Sequence, residues 1–478
     1  MGQTVNLLSF DFGGSNPSLP TENEKRKFLV FFCVSCARVQ MDEIFSFVLL
    51  KRIVQEGRAL FGKRKADSKI WKCGGNCIFL QYKILTEKRK LMIPEEFKDM
   101  RPFEPEELPA AYDSLLADPM FRAVVGMVMP QLPAEALAPM MHGCKTILEF
   151  QHTFIRPLLD GVIKKCTTGL TSDFSSLELS KEKENYTYIS NHRDIVLDSG
   201  LLDMVLIADK QFNTVEIAIG DNLLIYPWIK TLVRLNRSFV VTRKGGIREM
   251  LQSSIRLSSY MHYVINEKKA PVWIAQREGR SKDSTDHTQE SLLKMFAMGG
   301  EGTPAERIIG LNLAPLAISY EYDPCDWLKA MEFQMKRDNP EHKKSQADDL
   351  INMKTGIYGY KGRVHYQTAE CMNDFIAALP VDMAKNDFYA TIAKEIDRRI
   401  YSNYRLYPGN FVAIDLLQGG NAYTDRYTAE ERATFEQYIA GQLQKIEMPG
   451  KDEAFLRTKM LEMYANPALN QLSVLNEA

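Results

Sequence analysis

Apolar residues come in short runs along most of this chain, and the period of the runs changes several times. Residues 186–189 are aromatic and β-branched, which suits a buried strand. Asn191 breaks that run, and from Ser199 onward Leu201, Leu202, Val205 and Leu206 recur at helical spacing. The same change of period repeats downstream. It predicts strands over 215–219, 238–241, 272–275 and 313–320, and helices over 226–235, 247–265 and 288–298. The second of those helices has Met250, Ile255, Leu257, Met261 and Val264 among its apolar positions. A β-α-β-α order calls for a mostly parallel central sheet covered by helices, so the expected fold class is α/β. Residues 363–367 are expected to add an edge strand.

The flanks read differently. Pro94, Pro102, Pro105 and Pro109 punctuate a loop, followed by short helical runs at 110–116, 121–129 and 146–163. In the last of these, Ile147, Phe150, Phe154 and Leu158 fall near one face. Beyond Asp387 the pattern is helical and then looser. Gly419-Gly420 and Pro449-Gly450 mark loops there, and the final dozen residues read as frayed. The chain therefore divides into an extension (1–91), a helical lead-in (92–183), an α/β domain (184–385) and a helical C-terminal extension (386–478).

Composition changes this picture at one end only. The chain has 478 residues, 45% hydrophobic and 25% charged, which is ordinary for a globular protein. Its net charge of −1 is unevenly spread. Residues 1–91 hold 16 Lys and Arg against 8 Asp and Glu, net +8, and the remainder carries net −9. The basic stretch lacks sustained periodicity, and Met92-Ile93-Pro94-Glu95 reads as the start of the folded protein, so residues 1–91 are expected to be dispensable for the fold. Cys33, Cys36, Cys73 and Cys77 form two close pairs whose spacing is weak support for zinc, and Cys144, Cys166, Cys325 and Cys371 are scattered. Nothing in that spacing implies a disulfide framework, and a reducing cytoplasm is expected. No apolar run approaches the roughly 20 residues that a spanning helix needs. The run 28–36 has nine.

The candidate chemistry lies where the strand at 186–189 gives way to a helix. His192, Asp194 and Asp198 sit there, near the carboxyl end of a strand, the edge at which open α/β sheets bind ligands. A histidine in this place also serves as a helix cap or loop hydrogen bonder. His142, His152, His262, His287, His342 and His365 have no motif around them and are expected to be structural.

Four blocks in fixed order sharpen the reading. They are Asn191-His192-Arg193 through Asp198; Arg237-Ser238-Phe239-Val240-Val241-Thr242-Arg243; Glu278-Gly279-Arg280-Ser281; and Leu313-Ala314-Pro315-Leu316-Ala317-Ile318-Ser319-Tyr320. Together they resemble the glycerolipid acyltransferases, a superfamily that includes the glycerol-3-phosphate and 1-acylglycerol-3-phosphate acyltransferases. The resemblance spans about residues 186–322. Two departures stand out. Five residues separate His192 from Asp198 where the family has four, and Arg280 follows Gly279 directly where the family has one residue between.

The resemblance implies transfer of a fatty acyl group from a thioester donor, coenzyme A or acyl carrier protein, to a hydroxyl of glycerol 3-phosphate or a lysophospholipid. No cofactor or metal is implied. His192 would be the general base, since imidazole titrates near neutrality. Its partner would be Asp198 or Asp194, with Asp198 preferred because the apolar helix follows it; a carboxylate there fixes the tautomer and stabilises the imidazolium. Arg243, Lys244 and Arg280 would bind the acceptor phosphate through charge-assisted contacts. Glu278, Gly279 and Ser281 share the third block, Glu278 orienting Arg280. Asn191 and Pro315 complete the substrate-binding set. Two other classes compete. A serine hydrolase lacks its Gly-x-Ser-x-Gly elbow here. The other is a lipid-binding protein that kept the fold and lost the activity, and an amino-lipid acceptor is a further variant of the enzymatic reading. Expected partners are the acyl donor, a glycerolipid acceptor and a membrane surface, with no nucleic acid. The expected location is cytoplasmic and peripheral, at the inner face of a membrane. The lead-in from 121 to 163 is the expected interfacial segment, with Met127, Val128, Met129, Leu132, Met140, Met141 and Phe154 beside Arg122, Lys145 and Arg156.

Overall fold

The computed structural model describes residues 93–179, 184–210, 213–242 and 245–476. The basic extension with its four cysteines lies outside the described residues, as do Arg243 and Lys244.

Seven strands form one sheet: β1 (Gly169–Asp173), β2 (Thr187–Ser190), β3 (Glu216–Gly220), β4 (Ser238–Val241), β5 (Val272–Ala275), β6 (Leu313–Tyr320) and β7 (Arg363–Thr368). Their order is β1-β7-β6-β2-β5-β3-β4. Every neighbouring pair is parallel except β6 and β7. β2 is central, with Thr187 in register with Val272 of β5 on one side and Leu313 of β6 on the other. Both of its faces are covered, so its sequence reads as a continuous run rather than an alternation. Tyr188 joins a core with Leu201, Leu202, Leu206, Trp273, Leu316 and Tyr366. Ile189, one residue on, points to the opposite core with Phe239, Tyr260, Met261, Ile274 and Phe296.

The 363–367 strand differs from its expected place. β7 is interior, paired with both β6 and β1, and β1 takes the edge. β1 comes from a stretch that the apolar pattern reads as helical lead-in. Its sequence Gly-Leu-Thr-Ser-Asp is polar and only partly buried, so it carries no apolar run to announce it.

The lead-in contains α1 (Leu108–Ala117), α2 (Pro119–Val128), α3 (Ala134–Gly143) and α4 (Ile147–Phe150), which passes through a π turn into α5 (Arg156–Cys166). These helices bury a core of their own around Leu108, Tyr112, Leu115, Phe121, Phe150 and Phe154. Met129 and Met141 are in that core too, so of the residues expected to face lipid here only Met127 is an exposed apolar side chain. After β2 come α6 (Leu197–Lys210), α7 (Pro227–Leu235) and α8 (Ile247–Tyr263). They are followed by α9 (Glu290–Phe296) and α10 (Pro304–Ile309), then by α11 (Asp326–Asp338) and α12 (Gln346–Tyr358) between β6 and β7.

The chain closes with α13 (Asn373–Ala377), α14 (Lys385–Ser402), α15 (Pro408–Gln418), α16 (Ala429–Gln444) and α17 (Glu453–Asn476). The frayed end expected from sequence is instead a 24-residue helix. It buries Leu456, Met460, Leu461, Tyr464, Ala465 and Ala468. Several of its polar residues are structural donors. Asn466 Nδ2 donates to Asp283 O (2.7 Å), Asn470 Nδ2 to Thr285 O (3.1 Å) and Gln471 Nε2 to Tyr404 O (2.8 Å). Among the described residues no helix is long and apolar enough to cross a membrane.

Candidate active site

β2 ends at Ser190, and the next side chain continues the sheet in place of backbone. Asn191 Nδ2 donates to Ile318 O (2.9 Å), and Ile318 N donates to Asn191 Oδ1 (2.8 Å). Asn191 is fully buried and fixes where the following turn leaves the sheet. His192 comes next. Its Nδ1 lies 2.8 Å from Asp198 Oδ2. The same carboxylate oxygen accepts the amides of Arg193 (2.6 Å) and Asp194 (3.1 Å), and Oδ1 accepts the Tyr320 hydroxyl (3.2 Å). Asp198 is inaccessible to solvent, and it occupies the first turn of α6, where the helix dipole favours a negative charge. An acceptor at Nδ1 selects the tautomer with its proton there, which places the lone pair on Nε2. The imidazole also packs edge-on against Trp273, ring centroids 5.6 Å apart, and Trp273 Nε1 is anchored on Ser190 Oγ at 3.0 Å.

The two candidate carboxylates are therefore separated by geometry. The five-residue gap is absorbed in the turn, and Asp198 meets His192. Asp194 caps α6 instead: its Oδ1 accepts the amides of Val196 and Leu197, each at 2.8 Å. Burial raises the pKa of Asp194, and the neighbouring Asp198 raises it further. A Cβ on Gly356 of α12 would collide with Asp194 Oδ2, so glycine is needed for α12 to approach this turn.

The third block forms the loop after β5. Gly279 is exposed at φ +68°, a left-handed conformation that suits glycine. Glu278 is exposed, with its amide donating to Gln289 Oε1 (2.8 Å). Ser281 is buried and works within its own loop, donating to Asp283 Oδ1 (3.0 Å) and accepting from Asp286 N (3.3 Å). Arg280 turns inward. Its Nη2 donates to Asn352 Oδ1 (2.8 Å), and its Nη1 is buried without a hydrogen-bond partner among the described residues. Burial opposes its charge, but Cys325, Asp323 and Asp194 outweigh that, and its pKa stands above the ordinary value. Arg280 thus shares the neighbourhood of Asp194 at the edge that carries the histidine. Pro315 lies within β6 in register with Ile189, and its carbonyl accepts Ala369 N at 2.9 Å, a place in the sheet rather than in the turn.

Sequence reasoning passed over three residues. In sequence Tyr320 stands only as the end of the fourth block. It shares parity along β6 with Leu316 and Ile318, the side of the sheet that α6 covers, and strand period alone would have placed it near Asp198. Tyr366 donates to the Asp198 carbonyl (2.9 Å) from β7. Arg193 points away from the dyad, and its Nη2 pairs with Asp286 Oδ2 at 2.7 Å. Tyr404 donates to that same oxygen at 2.7 Å. Arg193, Tyr320, Ser319 and Ser284 also line a cleft together with Tyr404, Met463 and Tyr464 of the C-terminal extension.

No curated protein matches this chain in sequence. The crystal structure of the 1-acyl-sn-glycerophosphate acyltransferase PlsC from Thermotoga maritima aligns over 61% of this chain and 94% of that one. Its identity is 12% and its TM-score 0.28. Residues 172–304 match the Acyltransferase family, a span that holds His192, Asp198 and Arg280 and stops short of β6. That span, with the four ordered blocks in and beside it, is similar to an acyltransferase domain.

Proposed function

We propose that this protein transfers a fatty acyl group from a thioester of coenzyme A or acyl carrier protein to a hydroxyl of glycerol 3-phosphate or a lysophospholipid. The observation that carries the reading is the His192–Asp198 pair, 2.8 Å apart, with the carboxylate inaccessible to solvent and held by two amides and a tyrosine hydroxyl. His192 Nε2 takes the proton of the acceptor hydroxyl as its oxygen attacks the thioester carbonyl. Asp198 stabilises the imidazolium that forms. The tetrahedral intermediate collapses, the C–S bond breaks, and the departing sulfur takes the proton from Nε2. The products are an ester and a free thiol, and no side chain is acylated.

Arg280 binds the acceptor phosphate in this reading, its unpartnered Nη1 offering a donor. Arg243, which ends the second block, and Lys244 next to it in sequence, both outside the described residues, are assigned to the same phosphate. Glu278, Gly279 and Ser281 shape the loop that presents Arg280. The enzyme works at the cytoplasmic face of a membrane, where acceptor and product reside. The test is turnover by the purified protein on a panel of acceptors, with coenzyme A and acyl carrier protein donors compared. Release of free thiol with formation of a new ester is expected only with phosphate-bearing glycerol acceptors. Absence of transfer to every acceptor, from both donors, would reject the reading.

A further inference from the structure

α8 behaves as two half-helices. From Leu257 onward it is core: Leu257, Tyr260 and Met261 are 6%, 0% and 0% exposed. Its N-terminal half projects from the fold, and every residue from 245 to 252 is exposed. Among these and in the next turn are Ile247 at 91% exposure, Met250 and Leu251 at 50% each, and Ile255 at 43%. Their spacing places all four on one face of the helix. A contiguous large apolar ridge left in water marks a surface that something else covers.

The charges around the ridge indicate what covers it. The described residues 245–256 carry Arg248 and Arg256 against the single acid Glu249. Glu249 is occupied as a cap, its carboxylate accepting Gly246 N at 2.8 Å, and Arg256 is tied to Asp99 and to Glu96 O. Arg248 stays exposed beside the ridge. The ridge follows β4, which runs parallel with β3, and so it lies at the carboxyl edge of the sheet, the edge that carries His192.

We infer that the N-terminal half of α8 docks this protein on an anionic lipid bilayer. Ile247, Met250, Leu251 and Ile255 enter the interface, and Arg248 beside them meets the headgroups. This turns the His192 edge toward the membrane, and its purpose rests on the acyltransferase reading. The test is co-sedimentation of the full chain with phosphatidylcholine vesicles, with and without phosphatidylglycerol. The wild type is compared with a variant carrying Ile247→Ser, Met250→Ser, Leu251→Ser and Ile255→Ser together. All four positions are exposed, and an unchanged thermal unfolding curve checks that the variant folds. The wild type is expected to bind the anionic vesicles, and the variant about 100-fold more weakly, given the apolar area each side chain removes from water. Turnover of a water-soluble short-chain acceptor should be equal in the two proteins. Equal vesicle binding by both proteins, or none by the wild type, overturns the inference. So does a variant that keeps vesicle binding and loses only transfer from acyl carrier protein, which would make the ridge a protein-docking face. A wild type with no turnover on any acceptor counts against the enzymatic reading alone, because vesicle binding is read without it.

Discussion

Two turns meet at the carboxyl edge of the sheet, and they are held in opposite ways. The turn after β2 satisfies itself. Within six residues Asp194 and Asp198 take four backbone amides, and Asp198 takes the histidine as well. None of its residues has a positive φ. The loop after β5 is strained and held from outside. Gly279, Ser284 and Asp286 have φ of +68°, +59° and +53°, and for the two non-glycine residues that conformation costs about 1–2 kcal/mol each. Its carbonyls are caught by Tyr401, Asn466 and Asn470, and its Asp286 carboxylate by Tyr404, all from the C-terminal extension. A single ion pair, Arg193 with Asp286, ties the two turns together. The difference teaches a division of labour. The proton-transfer pair is a local device, and the loop carrying Arg280 borrows its shape from residues more than a hundred positions downstream.

The most damaging change should be in the self-sufficient turn. His192→Ala is expected to lower the rate of acyl transfer by about 10²–10⁴-fold without altering the fold, the usual contribution of a positioned acid–base group. Near-wild-type turnover by a folded variant would remove His192 from the chemistry. Asp198→Asn comes next, with a loss of about 10²-fold or more, because the amide no longer stabilises an imidazolium. Asp194→Asn keeps an oxygen for the amides of Val196 and Leu197 and should cost less than about tenfold. The opposite ranking in steady-state kinetics would transfer the dyad to Asp194.

This contrast also explains what could be read from sequence. The strand at 187–190, its turn and the apolar helix after it are encoded by neighbouring residues, so the place of His192 was legible, and Asp198 was the preferred partner despite the unusual gap. The parallel order of the central strands followed from the alternation of periods. β1 escaped notice because a polar edge strand has no apolar run. The final dozen residues read as frayed because nothing near Asn470 and Gln471 in sequence announces the carbonyls that they serve, which belong to residues 285 and 404. Contacts so far apart in sequence leave no periodic trace.

Removing single supports should therefore separate chemistry from loop shape. Tyr320→Phe takes one hydrogen bond from Asp198 while two amides and His192 remain, and a drop in kcat of about tenfold or less is expected, in line with the net worth of a bond to a charged group. Asn466→Ala leaves the dyad untouched and frees the Asp283 carbonyl. It should raise KM for the acceptor with little change in kcat, lower stability by about 1 kcal/mol, and speed hydrogen exchange across 278–288. A fall in kcat at unchanged KM would mean that the loop and the dyad are not separable.

The smallest expected effect is on stability against pH, and it tests the outside support from another side. Asp397 of α14 accepts both the amide (2.8 Å) and the hydroxyl (2.5 Å) of Thr288, where the loop rejoins the sheet layer. Burial lifts its carboxyl from 3.8 to about 6, against the hydrogen bonds from Thr288 that pull it down. Between those two values the folded protein holds a proton there that the unfolded chain has lost. Stability from this group is then greatest below about pH 4 and falls as pH rises to about 6, above which the ionised, partly desolvated carboxylate is a fixed cost. Asp397→Asn keeps an oxygen for Thr288 and cannot ionise. Denaturation of the variant should show a shallower decline in stability between pH 4 and pH 6 than the wild type, with equal or greater stability at pH 7. Parallel pH profiles for the two proteins would mean that Asp397 titrates as an ordinary carboxylate, and the loop would then be anchored at this end by hydrogen bonds to a solvated group.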